Sequence, residues 1–294
     1  MAQITKKNEK SAYLFILPFV LMFVIYKLYP MIYGFAVSFL DRNSTKKLSS
    51  IDFVWFKNYI NVLTSKTFWE TLGRSFYFAA VYTVFVMFFG FLFGVLFNNE
   101  FKGRKIVRTM FYMPYVTNII AIGIVFKYLL NPTKGPINAI FRLFGQVGPK
   151  WLSSPTMALP TAAVIGAWLA LAFNIITVLA ALQEIPKDLY EVAEIEGVSF
   201  TQKLWYIILP MLKPALFMLL TITVINSFKS YTTIVGLTAG GPGTSTRTLS
   251  YQIYEDAFTY MKFSIASAEG VLLTILIVMI NNALNKVRDL WGNN

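Results

Sequence analysis

The chain has 294 residues, 56% of them hydrophobic and 17% aromatic, against 14% charged; soluble domains carry about 25% charged residues, so a mean hydropathy of +0.58 indicates a polytopic membrane protein. A net charge of +12 does not indicate nucleic acid, because the lysines and arginines are scattered among apolar runs, where anionic lipid headgroups meet them. With no Cys and no His in the sequence, disulfides, Cys or His metal sites and thiolate or imidazole chemistry are excluded within this chain.

A helix needs about 20 mostly apolar residues to cross the hydrocarbon core, and six segments qualify. The first, Tyr13–Phe39, carries only Lys27 and is read as an uncleaved helix, since its apolar run is too long for a signal-peptide core and no small-residue cleavage site follows. Next come Ser75–Phe97 without charge, Thr109–Leu130 with Lys127, and Pro155–Leu182 without charge. Met211–Leu237 holds Lys213 and Lys229, and Phe263–Asn285 holds Glu269. Regular strand-length alternation is missing, which argues against a β-barrel. The expected fold is therefore an all-α polytopic membrane protein, a single domain over residues 1–294 with both termini on one side. The Lys/Arg bias between the two sides is slight, but the short loop bearing Lys102, Arg104, Lys105 and Arg108 favours the termini inside, because short loops weigh most.

Between the spans, Phe53–Trp69 is aromatic-rich and suits an interfacial helix at headgroup level. Residues 131–154, with Pro132, Gly135, Pro136, Gly145, Gly148 and Pro149, read as loop. Gly90 and Gly94, four apart in the second span, permit close helix packing. The Gly-rich run 240–246 is no phosphate cradle, because no Lys follows a Gly anywhere in the chain.

The segment 184–214 stands apart. Five of the chain's 14 carboxylates, Glu184, Asp188, Glu191, Glu194 and Glu196, fall there within thirteen residues, and Pro210 and Pro214 close it at the start of the next span. A charged insert of this length is neither a tight turn nor a membrane crossing. Pro186 is placed to open a short helix with Asp188 in its first turn, and Gly197 permits a sharp bend.

Glu191-Val192-Ala193, Gly197 and then Ile207-Ile208-Leu209-Pro210 resemble the coupling loop of ABC importer permeases, whose pattern is E-A-A, a Gly, then I-x-L-P; Val192 departs from the usual Ala and Glu196 from the usual Asp. The Tyr13–Phe39 helix, the Trp55–Leu72 stretch, Arg108–Asn138 and the Leu237–Phe258 stretch resemble, in order, the carbohydrate-uptake class of these permeases, and in particular the subunit type of the larger maltose permease. The resemblance implies six transmembrane helices of the type I importer kind, with the 184–210 loop facing the cytoplasm. Glu191, Val192, Ala193, Gly197, Ile207, Leu209 and Pro210 would couple to an ATPase. It also implies a bacterial cell membrane, a second homologous permease, an ATPase dimer and an extracytoplasmic solute-binding protein. ATP and Mg would be bound by the ATPases, with no cofactor or catalytic residue in this chain.

Polar side chains at mid-membrane need a role or a partner. Asn174 in the fourth span and Asn226 in the fifth fit that description, with Phe173 beside one and Thr223, Ser227, Ser230 and Tyr231 around the other. Hydroxyl edges and apolar C–H faces of a sugar call for this mixture. Resemblance to maltose-type permeases carries the pocket lining to Leu169, Ala170, Phe173, Thr223, Asn226, Ser227 and Ser230. The alternative is that these polar groups bond neighbouring helices. The expected function is an ATP-driven importer subunit for a carbohydrate, with an oligosaccharide favoured; the rivals are a non-sugar solute in the same machinery, or an ion-coupled secondary transporter, which would need inverted repeats and broken helices. No internal repeat is found.

Overall fold

A computed structural model describes residues 6–42 and 52–292; the extreme termini and residues 43–51, between the first span and the aromatic stretch, lie outside these. In chain order the helices are α1 Lys6–Phe23, α2 Tyr29–Val37, α3 Lys57–Thr64, α4 Lys66–Asn98, α5 Arg104–Val116, α6 Ile119–Leu129 and α7 Pro136–Leu143. They continue with α8 Ala158–Gln183, α9 Lys187–Ile195, α10 Phe200–Lys203, α11 Leu209–Phe228, α12 Tyr231–Leu237, α13 Leu249–Phe258 and α14 Phe263–Gly292. Among the described residues the sole β feature is a single bridge, Leu40 to Phe53. Five helical stretches are long and apolar enough to cross a membrane, or six if the bent pair α5–α6 is one span.

Contacts divide the chain into two units, Met1–Ser65 with Ile253–Leu272 and Lys66–Gln252 with Leu273–Asn294. In the first unit, α1 passes into α2 through a π-helical turn, Val24–Leu28, immediately before Pro30. Proline lacks an N–H and crowds the preceding turn; the wider turn lets the helix continue through it. After α2 the chain is tied down by Asn58, whose side-chain amide donates to Ser38 O at 2.8 Å and Leu40 O at 2.9 Å. Phe39 packs against Phe53, Phe56 and Tyr59. The aromatic-rich stretch is thus partly a separate short helix, α3, and partly the first turn of α4.

The second unit is built on α4 and α8. Gly90 and Gly94 let these helices approach until a Cβ on Gly90 would lie 2.7 Å from Asn174 Cβ, and one on Gly94 2.5 Å from Val178 Cγ1. Five of the eight alanines of α8 (Ala158, Ala162, Ala163, Ala167 and Ala172) are buried, as a closely packed face requires, while Val84 and Phe88 on α4 stay exposed, as a lipid-facing face requires. One core cluster gathers Phe78, Tyr82 and Val86 with Leu159, Ala163, Ile234 and Leu237. Another joins Val95 and Val178 to Ile185, Ile208 and Leu212.

Three expectations from the sequence are corrected. The Thr109–Leu130 segment is not one straight helix: α5 and α6 meet at 107°. Thr117 is extended, and Asn118 caps a new helix, its side chain accepting from Ile120 N at 2.8 Å and Ala121 N at 3.4 Å. Counting charges cannot see such a break, because the run from Thr109 to Phe126 carries none on either side of it. Second, Pro210 does not open the next long helix. That helix starts at Phe200, passes through a π-turn at Leu204–Ile208 just before Pro210, and ends at Phe228. Residues 231–237 form the separate α12. Third, residues 131–154 contain α7, which Pro136 starts from the first-turn position that suits it. Asn138 orders this stretch. Its amide donates to Pro132 O at 3.1 Å and Pro149 O at 3.0 Å, and its oxygen accepts from Trp151 Nε1 at 2.8 Å.

Candidate functional site: a cavity and a helical hairpin

The cavity in the second unit holds about 120 Å³ and is lined by Tyr82 of α4, Tyr115 of α5, Ala170, Phe173 and Asn174 of α8, and Ile222, Thr223 and Asn226 of α11. The 3.6-residue period puts Ala170, Phe173 and Asn174 on one face of α8, and Thr223 and Asn226 on one face of α11. Asn174 and Thr223 are each 3% exposed, and their polar side-chain contacts among the described residues are long. Thr223 Oγ1 lies 3.5 Å from Asn174 Oδ1, and Asn174 Nδ2 lies 3.5 Å from Ala170 O. At the limit of hydrogen-bond length, both side chains keep most of their bonding capacity for something else. Asn174 and Thr223 thus touch one another across α8 and α11 and also face a space.

Of the nine residues anticipated for this role, Ala170, Phe173, Asn174, Thr223 and Asn226 are brought together, and Leu169, Ser227, Ser230 and Tyr231 do not line the cavity. Ser227 is buried with its hydroxyl donated to Val224 O at 2.7 Å. Ser230 pairs with Thr233 at 2.7 Å, beyond the end of α11. Tyr231 begins α12 and is 39% exposed. Sequence reading missed Tyr82, Tyr115 and Ile222. The two tyrosines come from α4 and α5, each of which contributes a single residue to the lining.

The 184–210 segment forms a helix–turn–helix. Pro186 precedes α9, and Asp188 sits in its first turn, where the helix dipole favours a carboxylate. The end of α9 is a Schellman motif: Val198 N donates to Ala193 O at 2.9 Å and Gly197 N to Glu194 O at 3.2 Å. Gly197 has φ +67°, in the left-handed region that glycine enters without strain. Ser199 then opens α10 with a capping box, giving its N–H to Gln202 Oε1 at 2.9 Å while its Oγ accepts from Gln202 N at 3.4 Å. One face of the hairpin packs inward through Ile185, Ala193, Ile208 and Leu212, all buried. Ile207 and Leu209 are half-buried and Pro210 is exposed. The opposite face presents Glu191, Val192, Glu194 and Glu196 to the outside, with Ile195 85% exposed. Lys203 reaches Glu194 at 3.5 Å and lies over the Tyr190 ring at 5.7 Å. Burial raises the Tyr190 phenol above its ordinary range.

Similarity to known proteins follows the same geometry. The family model described as binding-protein-dependent transport system inner membrane component matches residues 86–289, which include the cavity-lining parts of α5, α8 and α11 and the whole hairpin. The arabinooligosaccharides transport system permease protein AraP of Halalkalibacterium halodurans is 30% identical over 272 residues, covering 92% of this chain and 84% of that one. The trehalose/maltose transport system permease protein MalF of Thermococcus litoralis is 30% identical over 275 residues, covering 92% and 91%. The sn-glycerol-3-phosphate transport system permease protein UgpA of Agrobacterium fabrum is 29% identical, covering 95% and 94%. Among solved structures, a chain from a bacterial alginate ABC transporter in complex with an alginate pentasaccharide-bound periplasmic protein shares the fold, with a TM-score of 0.83 at 23% identity over 95% of this chain and 94% of that chain. The chain belongs to the family of binding-protein-dependent transport system inner membrane components, and is a multi-pass membrane permease subunit of the ABC class rather than an enzyme.

Proposed function

We propose that this chain is a transmembrane subunit of an ATP-driven importer for a carbohydrate, an oligosaccharide in particular. It forms the translocation pathway with a second, homologous permease and draws work from a separate ATPase dimer through residues 184–210. The observation that carries this reading is continuity: α8 and α11, which wall the cavity, are the two arms of the hairpin that contains α9 and α10. Asn174 lies nine residues from the end of α8 at Gln183, about 14 Å at 1.5 Å per residue. A displacement of α9 therefore has only the short connections 184–186 and 196–199 between it and the two helices that lead to the cavity wall.

The division of labour follows. ATP and Mg bind the ATPases, and this chain supplies no cofactor site and no catalytic residue. Glu191 and its exposed neighbours dock in a groove of the ATPase; closure of the ATPase dimer opens the pathway outward, and hydrolysis returns it inward. That role sets the hairpin and both termini in the cytoplasm of a bacterial cell, the six spans in its membrane as one permease domain, and the solute-binding protein on the outer side. At about 120 Å³ the cavity is smaller than the roughly 300–1,000 Å³ of ordinary ligand pockets, as expected of one wall of a chamber that the second permease completes. Aromatic faces beside amide and hydroxyl groups support a sugar as the solute, as do the relatives named for arabinooligosaccharides and for trehalose and maltose.

The test is ATP-dependent uptake by the assembled importer carrying Glu191→Lys or Gly197→Pro. Lysine would repel a cationic groove, and proline cannot adopt the positive φ. Both variants are expected to insert normally, lose uptake and lose the ATPase on purification. Uptake at the wild-type rate with the ATPase still bound would overturn the assignment of this hairpin.

A further inference from the structure

The cavity wall is polar but uncharged. Its hydrogen-bonding groups are Asn174, Thr223, Asn226 and the two tyrosines, and none of the eight lining residues carries a formal charge. Amide and hydroxyl groups both donate and accept, which matches a hydroxyl that does the same. A phosphate, sulfonate or carboxylate moved to this wall would leave water without gaining a cation, and a buried charge with no partner is strongly disfavoured. The faces of Phe173, Tyr82 and Tyr115 add to the effect, because the face of an aromatic ring is its negative pole. The next cation along α11 is Lys229, one residue past its end, exposed and outside the lining. A cationic solute would find ring faces and neutral oxygens but no carboxylate among the lining residues to balance its charge.

We propose that this subunit passes an uncharged, hydroxyl-rich saccharide and rejects charged solutes, including acidic sugars and sugar phosphates. The proposal rests on the reading of the cavity as part of the substrate pathway and adds the charge class of what travels there.

The experiment uses the assembled importer in nanodiscs. Direct binding and ATP-dependent uptake are measured for a panel of neutral oligosaccharides, for uronate oligosaccharides of matched length and for cationic glucosamine oligomers, in wild type, Asn226→Leu and Asn226→Arg. Asn226 is exposed, so neither substitution disturbs the core. Expected is saturable binding within the neutral panel, weakened roughly tenfold by Asn226→Leu as one hydrogen-bonding partner is lost. The uronates should bind detectably only after Asn226→Arg. Wild-type importer that binds uronates or glucosamine oligomers as tightly as neutral sugars, with Asn226→Leu weakening that binding equally, would overturn charge selection and leave the pathway reading standing. If Asn226→Leu changes neither binding nor uptake of any series, the pathway reading fails and the proposal with it. Binding by no series overturns the proposal together with the choice of a sugar.

Discussion

Gly123 and Gly34 are both helical glycines, and a sequence reader has no means of ranking them. A Cβ on Gly123 would sit 2.5 Å from the carbonyl oxygen of Gly236, where α6 crosses α12, whereas one on Gly34 would meet nothing within 4 Å. Gly123→Ala should therefore separate two backbones and cost about 1–3 kcal/mol, the range for forced overpacking. Gly34→Ala should be neutral or stabilise by up to about 1 kcal/mol through helix propensity. Thermal melting of the two variants in detergent distinguishes them; equal melting temperatures would refute the close crossing. Asn138 gives a second expectation of the same kind. Truncation to Ala removes three hydrogen bonds and leaves the indole N–H of the half-buried Trp151 without its acceptor. A loss of about 2–3 kcal/mol is expected, with Trp151 fluorescence shifted to the red as water reaches the ring.

Among the elements, the breaks matter more than the helices. Two π-turns stand just before Pro30 and Pro210, so both prolines lie inside continuous helices, although Pro210 reads in the sequence as a helix start. At Thr117–Asn118 the reverse holds, and one apolar run becomes two helices. Asn118→Ala removes the side-chain acceptor for Ile120 N and Ala121 N and should destabilise α6 by about 1 kcal/mol. Hydrogen exchange at the first turn of α6 would register this as faster exchange there than at the centre of α8; unchanged protection would mean that packing alone holds the break. Broken helices were also the mark expected of a secondary transporter, so a break by itself does not separate the two transport classes. The family match over residues 86–289 does.

For the whole molecule, the expectation is dependence on partners. Reconstituted alone in liposomes, the purified chain should bind no ATP and move no sugar, since its proposed pathway is half-walled and no phosphate cradle exists in its sequence. Uptake by this chain alone, driven by ATP or by an ion gradient, would refute the multi-subunit reading. The sequence by itself was enough for the membrane class, because about 20 consecutive apolar residues have no other economical home, and for the family, because the Glu191–Pro210 pattern is local and its spacing survives in the chain unaided. It also singled out Asn174 and Asn226 as polar groups within apolar spans. Only the tertiary structure decided which side chains share a space. Tyr82 and Tyr115 reach the cavity from helices whose own composition is uniform there, and Ser227 turns its hydroxyl back onto its own helix. The physical reason is that apolar content records whether a segment prefers lipid to water, whereas the bend at Asn118 and the approach of Gly90 and Gly94 to α8 depend on contacts between residues far apart in the chain.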